Sequence, residues 1–299
     1  VRVVVAADSI AGLTPRVASE TIAGGFAAKG AQVAVVPLGV DGEALAEAAA
    51  IAAPEALFIS APTTADVSEA LSRPGAGADV VLDLTGCQVD DLGAAILARF
   101  ADDPVEGLVA GRAAWAGRQL VALVPADQVS RPLTGLEGHA STALRSAGAT
   151  LQEVLTFDAR AERWLAELGL EQGPGAGAAG GVGLIVTALG GRVLDPLTWL
   201  AERYGLAGTL AQADLVVTGA ELMEFHAVGG PVVKKVVSWA EEQLRPAIAI
   251  AGRNYVSSRE LRIAGLETAH ALREGAAEDE STPEELAAAA SRLAASWAW

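Results

Sequence analysis

Runs of valine, isoleucine and leucine that stop abruptly in small or polar residues constrain this chain most. Five stand out: residues 2–7 into Asp8-Ser9, 56–60 into Ala61-Pro62, 79–84 into Thr85-Gly86, 214–217 into Thr218-Gly219, and 247–251 into Gly252. A continuous apolar run too short for a helix is the mark of a strand buried on both faces, which parallel sheets require. Residues 32–37 form a further strand-like run before Asp41-Gly42-Glu43. Helical patterns lie between several runs, at 15–29, 43–52, 91–100, 196–204 and 231–244. That alternation predicts an α/β fold with parallel sheets. In such sheets ligands collect outside the carboxyl ends of the strands, which directs attention to Asp8, Ser9, Thr218, Gly219 and Gly252. Each of these also fits an ordinary strand-to-helix turn.

With 299 residues and 52% hydrophobic content, the chain has enough apolar surface for two cores. The less regular middle, containing a glycine cluster and the breaker-rich 131–135, suggests a second domain over residues 75–189, inserted into a Rossmann-like or flavodoxin-like domain made of 1–74 and 190–299. A formal net charge of −16 argues against a nucleic-acid backbone as partner, because such binding relies on lysine and arginine. The lone Cys87 allows no internal disulfide, and His139, His226 and His270 are scattered without zinc-ligand spacing. No apolar run reaches the roughly 18 residues of a membrane span, and the opening residues lack a signal-peptide core. A cytoplasmic location is the expectation; no oligomeric state is expressed in the sequence.

The segment 174–183, PGAGAAGGVG, contains Gly175, Gly177 and Gly180 in a GxGxxG pattern. A dinucleotide fingerprint needs a strand before the loop. Here a helix-like segment, 161–170, precedes it and another helix follows, so a nicotinamide-dependent oxidoreductase is the weaker reading. Two roles stay open for the glycines, Gly181 included: backbone amides that hold an anion at a helix start, or close packing. Asp8-Ser9 with Gly12 can hold a substrate hydroxyl or magnesium, or cap the next helix. Glu221 and Glu224, after the strand ending at Thr218-Gly219, suit magnesium or proton abstraction, or a solvated loop. Asp41 and Glu43 carry the same ambiguity. Thr282, Pro283 and Glu285 form a capping box opening a terminal packing helix, with Trp297 and Trp299 as apolar anchors.

These residues resemble the type I glycerate kinases. PGAGAAGGVG is similar to that family's GAGAAGG segment, and 189–219, ending ADLVVTG, to its following helix, linker and ADLVITG strand. Pro231-Val232, the strand 247–252 and the start of the last helix at 281–285 continue the likeness. Asp8-Ser9 and Gly12 resemble parts of DSFKG, 37–43 a shortened ADGGEG, and 131–137 a faint TSYGTGEL. The chain departs from the family pattern at Ala11, where the family has lysine, between Gly148 and Gly173, where two family segments have no counterpart, and at TGAELMEFH in place of TGEGxLDxQS. The resemblance implies ATP- and Mg2+-dependent phosphorylation of glycerate or a related small hydroxy acid. It assigns Glu224 the hydroxyl proton, Asp8, Asp41 and Glu43 the substrate or metal, and Gly175, Gly177, Gly180 and Gly181 an anion, with Ser9, Gly12, Thr218, Gly219 and Glu221 nearby. The motif losses leave a second reading: an inactive member that binds a metabolite or partner.

Overall fold

The computed structural model describes residues 1–72, 79–87, 91–273 and 281–297. Nine strands lie among them: β1 (Arg2–Val5), β2 (Gln32–Val35), β3 (Leu57–Ser60), β4 (Val80–Asp83), β5 (Leu120–Leu123), β6 (Arg192–Leu194), β7 (Leu215–Met223), β8 (Ala247–Asn254) and β9 (Thr268–Arg273). They form two sheets, ordered β2-β1-β7-β8-β9 and β3-β4-β5-β6, and every pairing in both is parallel.

Two compact units result, one of Val1–Ala52 with Leu200–Trp299 and one of Ala53–Trp199. Both chain ends build the first unit, and the second is a single inserted stretch. The expected limit at 74/75 lies outside the described residues. The limit expected at 189/190 falls inside the second unit, because β6 pairs with β5. Residues 57–60 likewise go with the second unit through β3 and β4.

In the first unit, strands counted in chain order run 2-1-3-4-5, the flavodoxin-like doubly wound arrangement. Val3, Val5, Leu215, Val217, Ile248 and Ile250 alternate onto one face and pack under the helices Pro15–Ala27 and Pro283–Ser296. Each such side chain contributes about 1.5–3 kcal/mol on burial, which fixes strand register because a one-residue slip would expose the whole set. The last helix begins at the expected capping box: Thr282 accepts from the Glu285 amide while Glu285 accepts from the Thr282 amide. Trp297 packs partly buried against this core, and Trp299 lies outside the described residues.

The second unit's core is built on Val80, Leu82, Leu120 and Ala122 under the helices Pro104–Trp115, Leu151–Leu168 and Val182–Ala188. The helix expected over 91–100 shortens to Ala94–Leu97, since Leu92 and Gly93 take left-handed backbone. The next helix starts instead at Pro104, capped by Asp103. The helix-like segment expected at 161–170 is the later part of Leu151–Leu168, a helix opened by a Thr150–Glu153 capping box.

Candidate functional site

The strand order of the first sheet reverses between β1 and β7, and doubly wound sheets bind ligands at that point. Past their regular pairing the two strands remain tied. The Asp8 amide donates to the Gly219 carbonyl at 2.8 Å, and the Glu221 amide to the Ser9 carbonyl at 3.0 Å. Gly219 is required by close approach: a Cβ there would sit 2.0 Å from the Ile250 carbonyl oxygen and 2.9 Å from Ile10 Cδ1. The chain then folds into a tight turn in which the Leu13 amide donates to the Ile10 carbonyl, with Ala11 at φ 57° and Gly12 at φ 71°. Left-handed backbone costs an alanine about 1–2 kcal/mol. The compensating contact is the Ala11 amide donating to Glu221 Oε2 at 2.7 Å. Glu221 is therefore a brace for the loop.

Asp8 is half-buried at the head of this loop, and its Oδ1 accepts from the Ser9 amide at 2.7 Å. Burial raises its pKa, the negative charge of Asp41 raises it further, and the Ser9 bond opposes both. Asp41 is exposed, its carbonyl accepting from Leu45 at the start of the helix Gly42–Ala52, whose first turn carries exposed Glu43. Two neighbouring carboxylates of this kind suit Mg2+, which is commonly held by one or two carboxylates together with substrate phosphates. Among the described residues no group of three or more histidine, cysteine, aspartate or glutamate side chains forms a metal-binding cluster.

The structure thus brings Asp8, Ser9, Gly12, Gly219 and Glu221 to one place, with Asp41 close enough to act on Asp8. Thr218 lies in β7 beside them, fully buried, its Oγ1 lacking a hydrogen-bond partner. Glu224 is exposed beyond the end of β7 in a short turn, where its carbonyl accepts from the Ala227 amide at 3.2 Å.

The four glycines belong to the second unit. Their segment follows a helix and opens one, a 3-10 turn Ala178–Gly181 leading into Val182–Ala188. The Gly177 amide donates to the Arg131 carbonyl, the Ala178 amide to Gly175, and the Ala179 amide to Gln128 Oε1. A Cβ at 177 would fall 2.1 Å from the Pro132 carbonyl oxygen, so close backbone packing accounts for that glycine. Gly180 instead lines a cavity of about 610 Å3, together with Thr85, Gln128, His139 and Ala143. Gln128 is not among the residues singled out from the sequence, and His139 is named there only as lacking zinc-ligand spacing. Gln128 could have been found from the apolar run 120–124, which marks a strand whose carboxyl end it follows; His139 carries no such signal.

A model of the glycerate kinase family matches residues 109–298. The uncharacterized protein Mb2228c of Mycobacterium bovis and the uncharacterized protein MT2261 of Mycobacterium tuberculosis are each 33% identical over 210 residues, covering 68% of this chain and 52% of the relative. The chain thus spans about half the length of these curated relatives. The crystal structure of the "putative glycerate kinase 2" from Salmonella typhimurium LT2 superposes with a TM-score of 0.73 at 20% identity, covering 99% of this chain and 97% of that one, a likeness of fold.

Proposed function

This chain belongs to the glycerate kinase family, and from that premise we propose that it transfers a phosphoryl group from ATP to glycerate or a closely related small hydroxy acid, with Mg2+. The observation that carries this reading is Asp8, an acid with a raised pKa beside Asp41 at the carboxyl edge where the sheet order reverses.

ATP would supply the phosphoryl group and Mg2+ would offset its charge. Asp8, half-buried at the head of the turn after β1, takes the proton from the attacking hydroxyl. Asp41 is the partner carboxylate for the cation, with Glu43 on the next turn. Glu221 holds the Ile10–Leu13 turn through the Ala11 amide, and Ser9 and Gly12 present an exposed hydroxyl and an open backbone to the substrate. Glu224, exposed past β7, is a second acid for the hydroxyl proton. Gly180 and Gly181 are the proposed phosphate contacts.

One observation favours the alternative of an inactive binder. Ala11 stands where the family resemblance places lysine, and its side chain is buried and uncharged. Electrostatic stabilisers of this kind supply about 10²–10³ in rate. Coupled measurement of ADP formation with D-glycerate, ATP and Mg2+ separates the readings. Glycerate-dependent ADP release supports the kinase. Absence of turnover, with glycerate still raising the melting temperature, supports the binder.

A further inference from the structure

The cavity in the second unit lies outside the strand-end cluster of the first and has a chemistry of its own. Its volume of about 610 Å3 is in the range of small-molecule sites, about 300–1,000 Å3. It opens past the carboxyl ends of two neighbouring parallel strands, Thr85 following β4 and Gln128 following β5. That edge is where open parallel sheets take ligands. Two irregular pieces of backbone contribute to its wall. One is the π-helical turn Ala140–Leu144, which supplies Ala143. The other is the left-handed pair Ala179 (φ 44°) and Gly180 (φ 65°). Such conformations are costly for a non-glycine residue and gather at ligand sites.

Among the described residues no lysine, arginine, aspartate or glutamate lines the cavity. The Thr85 hydroxyl donates to Asp83 Oδ1 at 2.6 Å, which leaves its oxygen an acceptor. Gln128 Oε1 accepts from the Ala179 amide at 2.9 Å, which fixes the orientation of the side-chain amide and leaves Nε2 as its donor end. His139 is 8% exposed and lies against the Phe157 ring at 5.4 Å. Its Nδ1 is buried without a partner, and the Gly177 carbonyl accepts from the ring. Burial and the nearby Arg131 lower its pKa, so the imidazole is neutral at pH 7. A lining of one amide donor, one hydroxyl acceptor, a neutral imidazole, the Cys87 thiol, which burial keeps protonated, and the apolar side chains of Leu144, Ala143, Ala147 and Ala179 matches an uncharged heterocycle with polar edges.

We propose that this cavity binds the purine base of the phosphoryl donor, with Gln128 Nε2 donating to its polar edge, Thr85 Oγ1 accepting from it, and Ala143 and Ala147 against its face. The identity of the heterocycle rests on the kinase reading; the neutral character of the ligand rests on the lining alone.

Adenosine, which carries the base without phosphates, tests this by calorimetric titration of the full chain. Saturable binding is expected. In Ala147→Trp, which fills the cavity from an exposed position, affinity should fall at least tenfold with the melting temperature unchanged. Adenosine should also shift the His139 ring-nitrogen resonances. If Ala147→Trp lowers the melting temperature, Ala143→Leu carries the same readouts. No saturable binding, or equal binding to a folded cavity-filled variant, overturns the proposal. ADP assays distinguish it from the kinase reading. Glycerate-dependent turnover with an ATP KM untouched by cavity filling overturns the cavity assignment and keeps the kinase. Adenosine binding lost on filling, without any turnover, keeps the cavity and removes the kinase.

Discussion

The Ala11 amide donates to Glu221 Oε2 at 2.7 Å, joining residues 210 positions apart in the chain. One bond thereby ties the turn after β1 to the part of β7 that runs on beyond its pairing with β1. Glu221→Ala removes the acceptor and leaves a buried amide and a left-handed alanine without their main compensation. The expected loss is about 1–3 kcal/mol in denaturant unfolding. Glu221→Gln, which retains an acceptor oxygen, should lose less than half of that. Equal losses would show that the carboxylate charge, and not the hydrogen bond, holds the turn.

Asp8 should make the fold less stable as pH rises. Its pKa in the folded state is raised above the ordinary aspartate value of 3.8, so between those two values the folded state binds more protons than the unfolded chain. Stability falls with increasing pH where that is so. Asp8→Asn should therefore be more stable than wild type at pH 7, with the difference closing as the pH drops towards 3.8. If Asp8 accepts the hydroxyl proton, the same variant loses about 10²–10⁴ in kcat. A stabilised protein with full turnover would remove Asp8 from the chemistry.

Thr218 buries a hydroxyl that finds no partner. Thr218→Val keeps the shape, removes the unsatisfied group and should raise stability by about 1 kcal/mol. Because the hydroxyl has no exposed surface, KM for the hydroxy acid should stay within about twofold. A tenfold rise in KM would restore a binding role for Thr218.

Gly177 admits no side chain. In Gly177→Ala the new methyl meets the Pro132 carbonyl oxygen at 2.1 Å, and backbone on both sides cannot yield cheaply. A loss of about 3 kcal/mol, read as a lowered melting temperature, is expected. Gly12→Ala, which meets open space but keeps φ near 71°, should cost about 1–2 kcal/mol.

The fold was legible where physics is local. Buried parallel strands must be apolar throughout, so β1, β4, β7 and β8 announce themselves, and the Thr282 capping box marks the last helix. β9 was missed: among the described residues it pairs only with β8, it is half-exposed along its length, and its TAHALR carries no continuous apolar run. The place of Asp8 and Ser9 just past β1 was legible from the apolar run before them, whereas Gly219, expected at a strand end, lies inside β7. What Glu221 does could not be read, since its partner is remote in sequence. The glycine pattern shows the same limit from the other side. GxGxxG states that small residues are needed, but only the approach of the Pro132 carbonyl explains why Gly177 is one of them.

A sheet made from two distant stretches of chain also sets an order of events during synthesis. β1 and β2 leave the ribosome long before β7, β8 and β9 exist to flank them, whereas Ala53–Trp199 emerges as an uninterrupted block holding all four strands of its own sheet. β1 and β2 thus wait with an unpaired edge while the inserted block matures. Premature association of that waiting edge, including with a neighbouring nascent chain, is the characteristic hazard of this architecture.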